Sequence, residues 1–434
     1  MTHFRLRTRR DQAAPPTPTI LLDWFGGGST IQTRQNLTTG LVPPAVAVDF
    51  LRFAAAVFCA DKLAIRPGTW TRTVALDVPV RDLDRWHAIT ERLDATLSFL
   101  SGDEWSVNPY SSGESSKPSV SAEKPVDAVC LFSGGLDSFA GAVDLLADRK
   151  RVCLVAHHEG GQAPKTQEYL ARRLQAKFGS DRVVFRRVFL RPAPPSALQA
   201  RQLPDPREAT TRTRSILFLA AGLVVAAGYG PDVPLVIPEN GFIGINVPLT
   251  EARNGSLSTR TTHPYFMQAF GDCVAHLGIT NAIHNPFRLM TKGEMLAAVS
   301  DQATLRALAL QTLSCAHPET ARFANRDQGN CGYCFPCLIR RAGLHHVGLD
   351  NPEDYSFDAL NEPDEMEAER GADLRALVRS VNRPARPIDV LRNGPVPPAD
   401  VMAFAGVFQR GRAEILTWLR AATTSAPLLR QLPS

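Results

Sequence analysis

Long apolar runs, a surplus of charge of either sign and a cysteine framework are all missing from this sequence. Its longest apolar stretch, Ile216 to Ala227, is too short to cross a bilayer and reads as a buried helix. Basic residues near the start, such as Arg5-Leu6-Arg7-Thr8-Arg9-Arg10, are not followed by an apolar signal core, so secretion is not expected. The 48 Lys and Arg nearly balance the 43 Asp and Glu, and the formal charge of +5 is slight over 434 residues. That balance gives no argument for a protein that coats nucleic acid, though it is compatible with a phosphate-bearing substrate. Eight cysteines are few for this length, and three of them sit at CxxCxxC spacing. The pattern suits metal binding in a reducing compartment better than disulfides, which makes the cytoplasm the expected location.

What is present is a soluble, globular composition, 44% hydrophobic and 21% charged, long enough for two or three domains. Residues 1–44 are poorly patterned, with Pro15-Pro16, Pro18 and Gly26-Gly27-Gly28. Gly26 to Ser29 lacks the Lys-Ser/Thr of a Walker loop and reads as a turn. Val46, Phe50, Leu51, Ala54, Ala55 and Phe58 then recur at helical spacing, Thr71 to Val80 alternates like a strand, and Trp86 to Leu100 is helical. These elements predict an N-terminal α+β domain over residues 1–105. Ser106 to Pro125, rich in Ser, Pro and Gly, reads as a linker.

Residues 126–350 alternate apolar, β-branched strands with amphipathic helices. Strands are expected at Ala128–Phe132, Val152–Ala156, Val183–Phe189, Pro234–Pro238 and Ala282–Asn285. Helices are expected at Ser138–Leu146, Thr166–Phe178, Arg214–Ala227, Thr262–Leu277 and Lys292–Ser300. This is the signature of an α/β fold with a doubly wound parallel sheet, which binds ligands at the carboxyl ends of its strands. Residues 351–434 form a C-terminal helical extension, with Met402, Phe404, Val407, Phe408, Ile415, Leu416 and Leu419 at helical spacing.

Two local motifs carry chemistry. The strand ending at Phe132 runs into Ser133-Gly134-Gly135-Leu136-Asp137-Ser138, and a helix starts at once. Two glycines let the backbone turn its N–H groups onto an anion, two hydroxyls add donors, and the helix N-terminus adds partial positive charge. With no lysine it is not a Walker loop. Asp137 would repel a bare phosphate, so it is expected to turn toward the loop backbone as a cap or toward a magnesium ion on the phosphates; the loop is expected to be exposed. The second motif is Cys315 followed by Cys331-Gly332-Tyr333-Cys334-Phe335-Pro336-Cys337. Four thiolates, Cys315, Cys331, Cys334 and Cys337, would close a tetrahedral zinc shell of structural type, with His317 the competitor for the fourth place.

SGGLDS in this setting resembles the PP-loop ATP pyrophosphatase family, which has an adenine nucleotide alpha hydrolase-like fold. Several further motifs are similar to those of its QueC branch, the 7-cyano-7-deazaguanine synthases. Gly160-Gly161-Gln162 resembles the YGQ turn with Gly160 in place of Tyr. Arg214-Ser215-Ile216-Leu217-Phe218-Leu219 resembles RNxxFL with Ser for Asn. Thr291-Lys292-Gly293-Glu294 fits TKxE, and the cysteine segment through Leu338 and Arg340 reads like the family's zinc motif with a longer gap. The N-terminal stretch, from Phe50-Leu51-Arg52-Phe53 through Trp70-Thr71-Arg72 to Gly102-Asp103-Glu104-Trp105, is similar to QueC-like proteins of bacterial antiphage systems, the QatC proteins of the Qat system among them.

The resemblance implies binding of ATP with Mg2+ by Ser133 to Ser138 and Gln162. Asp137, Lys292 and Arg214 would be the catalytic residues: Lys292 to neutralise departing pyrophosphate, Arg214 to reach phosphate or carboxylate. Glu239 or Asn240 would face the N–H edge of a purine-like ring. The implied reaction is adenylation of a 7-deazaguanine-type carboxylate followed by amide formation. Its acceptor would be ammonia, as in queuosine synthesis, or the amine of a partner protein from the same defence operon. Under that reading the N-terminal domain and C-terminal helices serve the partner, not the chemistry. Two other classes fit less of the sequence: a sulfur-transferring tRNA-base enzyme, and a non-catalytic scaffold that keeps the loop and zinc.

Overall fold

The chain is described by a computed structural model covering residues 1–12, 18–25, 29–66, 71–115, 122–197, 203–205, 207–249, 260–320, 322, 329–362, 369–421, 429 and 432. Pro15-Pro16, Gly26 to Gly28 and Trp70, all singled out above, lie outside those residues. The chain opens with β1 (Thr2–Arg7), β2 (Ile20–Asp23) and β3 (Ile31–Gln35), then α1 (Ala45–Leu63), β4 (Thr73–Val80), α2 (Leu83–His87), α3 (Thr90–Ser101) and β5 (Glu104–Ser111). The central part runs β6 (Ala128–Leu131), α4 (Leu136–Ala147), β7 (Val152–His158), α5 (Ala163–Phe178), β8 (Val183–Pro192), α6 (Arg214–Tyr229), β9 (Leu235–Val236), α7 (Gly241–Ile245), α8 (Pro264–His276) and β10 (Ile283–His284). It ends with α9 (Lys292–Ala298), α10 (Gln302–Leu308) and α11 (Phe335–His346), and α12 (Ala372–Val381) and α13 (Val401–Arg420) follow among short 3-10 turns.

The principal sheet has the order β10-β9-β6-β7-β8-β3. All its pairings are parallel except the last, where β3 runs antiparallel to β8 with Ile31 opposite Pro192. Its two faces are separated residue by residue along each strand. Val129 and Leu131 of β6, with Cys153 and Val155 of β7, pack into the layer of α1 and α6. Cys130 and Phe132, with Val152 and Leu154, pack into the layer of α4 and α5. The α/β fold with a doubly wound parallel sheet and a helical C-terminus is therefore as expected. From β6 the chain steps outward to β7 and β8, then returns to β9 on the other side. The crevice at the carboxyl ends of β6 and β9 is the position where such sheets bind ligands.

The N-terminal part departs from expectation in three ways. Residues 1–44 are not unpatterned: β1 and β2 build a second sheet of order β2-β1-β4-β5, and β3 completes the edge of the principal one. The second sheet is parallel throughout, so the segment is α/β-like and not a simple α+β unit. β4 is buried at every position from Val74 to Val80, as a parallel strand covered on both faces must be, and so shows no true alternation. Lastly, β5 extends through Ser111, so the first third of the expected linker is strand. Just beyond it, Glu114 accepts from Arg52 at 2.8 Å and Arg81 at 2.6 Å. The serines and prolines here lie along a strand edge and a fixed turn, a role composition does not distinguish from a linker.

These elements share one core with the central part. Phe50, Phe53, Phe58 and Ala54 of α1 are buried in the same cluster as Ile216, Leu219, Ala220 and Leu223 of α6. The C-terminal helices form a second cluster with α7 and α11, in which Phe404, Val407, Phe408, Ile415 and Leu419 are buried. Met402, expected on that apolar face, is exposed instead. Among the described residues no helix is long and apolar enough to cross a membrane.

Candidate active site

The loop after β6 turns because Gly134 holds φ +83°, a conformation only glycine adopts freely. A side chain there would also press on Gln167, whose amide Nε2 donates to the carbonyls of Ser133 at 3.1 Å and His157 at 3.2 Å. Ser133 Oγ lies 3.1 Å from Ser138 Oγ, and the Gly135 N–H points to Ser133 Oγ at 3.2 Å. Helix α4 begins at Leu136 without a side-chain cap of its own. Its first N–H instead donates to Ser314 Oγ at 3.0 Å, next to Cys315. The loop and the cysteine segment are thereby fastened to each other.

Asp137 is neither a cap for the loop nor exposed: it is buried and turned inward. Its Oδ1 pairs with Lys292 Nζ, and its Oδ2 accepts from Asn240 Nδ2 at 2.6 Å and Asn240 N at 3.2 Å. Burial opposes the charge, yet Lys292, Glu239 and Asn240 together hold the carboxyl below its ordinary range. Glu239, beside it, moves the other way. Burial and the Asp137 carboxylate raise it well above an ordinary glutamate, so it donates its proton toward Asp137. Lys292 opens α9 after a capping box in which Thr291 Oγ1 accepts from Glu294 N at 3.1 Å and Glu294 Oε2 from Thr291 N at 2.9 Å. This turn is also held from the C-terminal extension, where Glu414 of α13 accepts from Thr291 Oγ1 and from Gly293 N at 3.2 Å.

Arg214 opens α6. Its Nε donates to His157 Nδ1 at 3.3 Å, while the other ring nitrogen of His157 faces the carbonyl of Leu190 at 3.3 Å. That arrangement fixes the neutral tautomer with its proton on Nε2. Burial, reinforced by the Arg214 charge, pushes His157 down to about 3, so it stays neutral. Sequence reasoning missed His157 and Ser314 as supports. A histidine ending a strand and a serine beside a cysteine are too common to mark themselves.

Ser133, Gly135, Leu136, Asp137, Ser138, Gly160, Gly161, Gln162, Arg214, Glu239 and Lys292 all line one cleft of about 710 Å³, with Ser314 and Cys315 on its rim. Gly134 is the one residue of the loop outside that lining. A smaller bay of about 210 Å³ opens beside it between Thr211, Ser215, Phe218, Leu219, Ile237, Thr261 and Thr262, and shares Ser133, Ser138, Arg214 and Glu239 with the cleft. Of the two residues expected to meet a ring, Glu239 borders both spaces, whereas Asn240 is fully buried. The Asn240 side chain donates to Asp137, and its Oδ1 caps α7 by accepting from Ile243 N at 3.0 Å. Asn240 is thus a buried structural brace that lines neither space.

The four cysteines expected to bind metal converge. Their sulfurs all lie within 4.8 Å of one another, with Cys315 to Cys334 at 3.9 Å and Cys331 to Cys337 at 3.8 Å. Tetrahedral zinc with Zn–S bonds of about 2.3 Å requires sulfurs about 3.8 Å apart. Backbone N–H groups of His317 and Cys331 point to Cys315 Sγ, each at 3.3 Å, and that of Cys334 points to Cys331 Sγ at 3.4 Å, as they would to thiolates. Gly332 at φ +88° makes the knuckle, where a Cβ would strike the carbonyl of Phe357. The set is compatible with zinc. His317 stacks on Tyr333 and is not part of it.

No family model matches the chain. Its sequence is 28% identical over 242 residues to the 7-cyano-7-deazaguanine synthase of Novosphingobium aromaticivorans, a match covering 52% of this chain and 94% of that protein. The synthase of Cupriavidus necator is 27% identical over 241 residues, covering 52% and 96%, and that of Leptospira interrogans 25% over 239 residues, covering 51% and 88%. Over about half its length the chain is similar to nearly the whole of these synthases, which supports a QueC-like relationship and agrees with the α/β fold and four-cysteine site described above.

Proposed function

We propose that the chain is an ATP-dependent, amide-forming enzyme that adenylates a 7-deazaguanine-type carboxylate. The observation that carries this reading is the single cleft. It joins the SGGLDS loop, the buried Asp137–Lys292 pair, Arg214 and Gln162 to a ring-sized bay, in a chain similar to 7-cyano-7-deazaguanine synthases. In this reading a carboxylate oxygen attacks the α-phosphorus of ATP, the bond to the β-phosphate breaks and pyrophosphate leaves. An amine then attacks the acyl carbon, loses a proton and expels AMP. The loop's N–H and hydroxyl groups receive the phosphates, Lys292 and Arg214 offset the developing charge, and Gln162 borders the nucleotide. Glu239, keeping its proton on the oxygen that faces Asp137, accepts from the N–H edge of the ring in the bay on its other oxygen.

Asp137 borders the cleft and would hold the magnesium ion through Oδ1, since Oδ2 already accepts two bonds from Asn240; a single carboxylate plus phosphate oxygens suits that ion. Bound magnesium supplies charge neutralisation on the phosphates. Zinc on Cys315, Cys331, Cys334 and Cys337 would be structural, holding Ser314 against the loop.

The acceptor is proposed to be the amine of a partner protein in a cytoplasmic antiphage system, a reading supported by the N-terminal similarity to QatC-type proteins. Ammonia is the other acceptor, favoured by the match over 94% of one synthase's length. ATP–pyrophosphate exchange with 7-carboxy-7-deazaguanine tests the first half-reaction, and its absence at saturating ATP and acid would sink the proposal. Adding ammonium or the operon's other proteins, with amide product followed by mass, decides between acceptors.

A further inference from the structure

The last two turns of α1 touch each of the supports that present Arg214 and Gln162 to the cleft. Asp61 is fully buried, and its Oδ2 accepts from Thr213 Oγ1 at 2.8 Å and Thr210 Oγ1 at 3.1 Å. Thr213 is the N-cap residue of α6, directly before Arg214, yet its hydroxyl makes no capping bond. A threonine at that position ordinarily caps its own helix. Here it is turned outward to a carboxylate of another element. One residue on, Lys62 Nζ pairs at 2.9 Å with Glu159, the residue between β7 and the Gly160-Gly161-Gln162 turn. One helical turn earlier, the ring of Phe58 packs edge-on against His157, the residue that holds Arg214.

The anchor is itself fixed. Arg72 donates to the Asp61 carboxylate, to the Asp61 carbonyl at 2.7 Å, to the Ala64 carbonyl at 2.6 Å and to Asp103 at 2.5 Å. Asp103 in turn takes Arg66 at 2.9 and 3.2 Å. A buried carboxylate tied through a buried arginine to a second carboxylate is a rigid reference point, because moving it would unpair several charges in a low-dielectric interior.

Resting on the ATP-binding reading of the cleft, we infer that Asp61, Lys62 and Thr213 are positioning residues: the end of α1 clamps the two turns that place Arg214 and Gln162 against the nucleotide. The N-terminal segment then sets the geometry of the phosphate side of the site. This reverses the expectation that the segment serves a partner and not the chemistry. None of the three residues lines the cleft, so none is catalytic.

The test uses the full chain and MgATP as the probe, by calorimetry, so that no acid substrate need be known. Thr213→Val removes the hydroxyl and keeps the volume, Thr213→Ser restores the hydroxyl, and Lys62→Met removes the partly buried pair with Glu159 while keeping an apolar stem of similar length. The clamp requires Thr213→Val to weaken MgATP binding about tenfold, as expected when a phosphate-side cation is displaced by a fraction of an ångström. Lys62→Met should weaken it about twofold to threefold, Thr213→Ser should bind like the parent, and melting temperatures should stay within a few degrees. In exchange assays the loss should fall on KM for ATP before kcat. Parent-like affinity in both Thr213→Val and Lys62→Met would overturn the clamp alone. Failure of the parent chain itself to bind MgATP would overturn the reading of the cleft, and the clamp with it. If Thr213→Val does not fold, Lys62→Met decides by itself.

Discussion

Lys292→Met is the substitution with the most to say about the cleft. Lys292 and Asp137 are both buried and paired, and removing one partner of such a pair costs about 3–5 kcal/mol because the other charge is left without compensation. Asn240 still donates to Asp137 from its side chain and backbone, and protonated Glu239 faces it, so the low end, about 3 kcal/mol, applies. For a chain of this size that is a fall in melting temperature of about 4 °C, scaled from roughly 2–4 °C per kcal/mol in smaller domains. Adding Asp137→Asn removes the stranded charge with little change in volume, so the double variant should melt within about 2 °C of the parent. Activity should behave differently. Both variants lose the cation, so pyrophosphate exchange should fall by about 10²–10³-fold in Lys292→Met, the scale for losing one preorganised charge donor, and at least as far in the double variant, which also lacks the Asp137 carboxylate. Scanning fluorimetry and exchange on the parent, Lys292→Met, Asp137→Asn and the double variant give the answer. Additive losses of stability in the double variant, or an unchanged melt in Lys292→Met, would refute the pairing as the source of both effects.

Three further outcomes follow from the same geometry. Freshly prepared protein kept reduced should contain one zinc per chain, and Cys334→Ser should lower both metal content and melting temperature; metal analysis finding none removes the zinc assignment. Glu239 has a folded pKa raised above its ordinary 4.5, so its contribution is full below that value and is lost as pH rises through the raised one; Asp137, depressed below its ordinary 3.8, loses its contribution only as pH falls through the depressed value. Glu239→Gln should therefore raise the nucleotide-free melting temperature at pH 8 and leave it unchanged near pH 4, and equal shifts at both would contradict the shared proton. Deleting residues 1–122 should leave an insoluble or unfolded chain, since it uncovers the α6 face that α1 buries and removes β3 from the sheet; a soluble fragment retaining exchange would show that α1 is dispensable.

What the sequence made legible was whatever lay within a few residues. The strand–turn–helix at SGGLDS and the convergence of the four cysteines depend on local spacing and have the expected form, apart from Asp137, which is buried. What stayed hidden depends on partners far along the chain. Asn240 looked like a ligand-facing amide because it follows a strand in a loop, but its partner Asp137 lies 103 residues away. Thr213 stands at the cap position of α6, but the partner of its hydroxyl, Asp61, is 152 residues away. Residues 106–115 looked like a linker because serine and proline are read as loop formers, while pairing with β4 makes most of them a strand. Buried charge networks are the extreme case, since Asp61, Arg72 and Asp103 would each pass for surface residues when read singly.

The placement of the two cations explains why such distant bracing is needed. Lys292 and Arg214 each occupy the first position of a helix, where the partial positive charge of the helix end disfavours a cation by about 0.3–1 kcal/mol. Left alone, both side chains would swing toward solvent and away from the cleft. Lys292 is kept inward by Asp137, and its turn by Glu414 from the C-terminal extension. Arg214 has no carboxylate on it among the described hydrogen bonds and ion pairs; it is held by a neutral histidine, with its turn held by Asp61 from the N-terminal segment. A neutral brace leaves the guanidinium charge unspent, whereas Lys292 is already half neutralised by its partner. Glu159, which Lys62 of α1 holds, acts on Arg214 only through space, so an anion entering the cleft meets at Arg214 a positive charge with no directly bonded carboxylate among the described residues, on the wall that α1 fixes. That asymmetry makes the α1 side the more sensitive of the two to small displacements, even though the buried pair lies on the other.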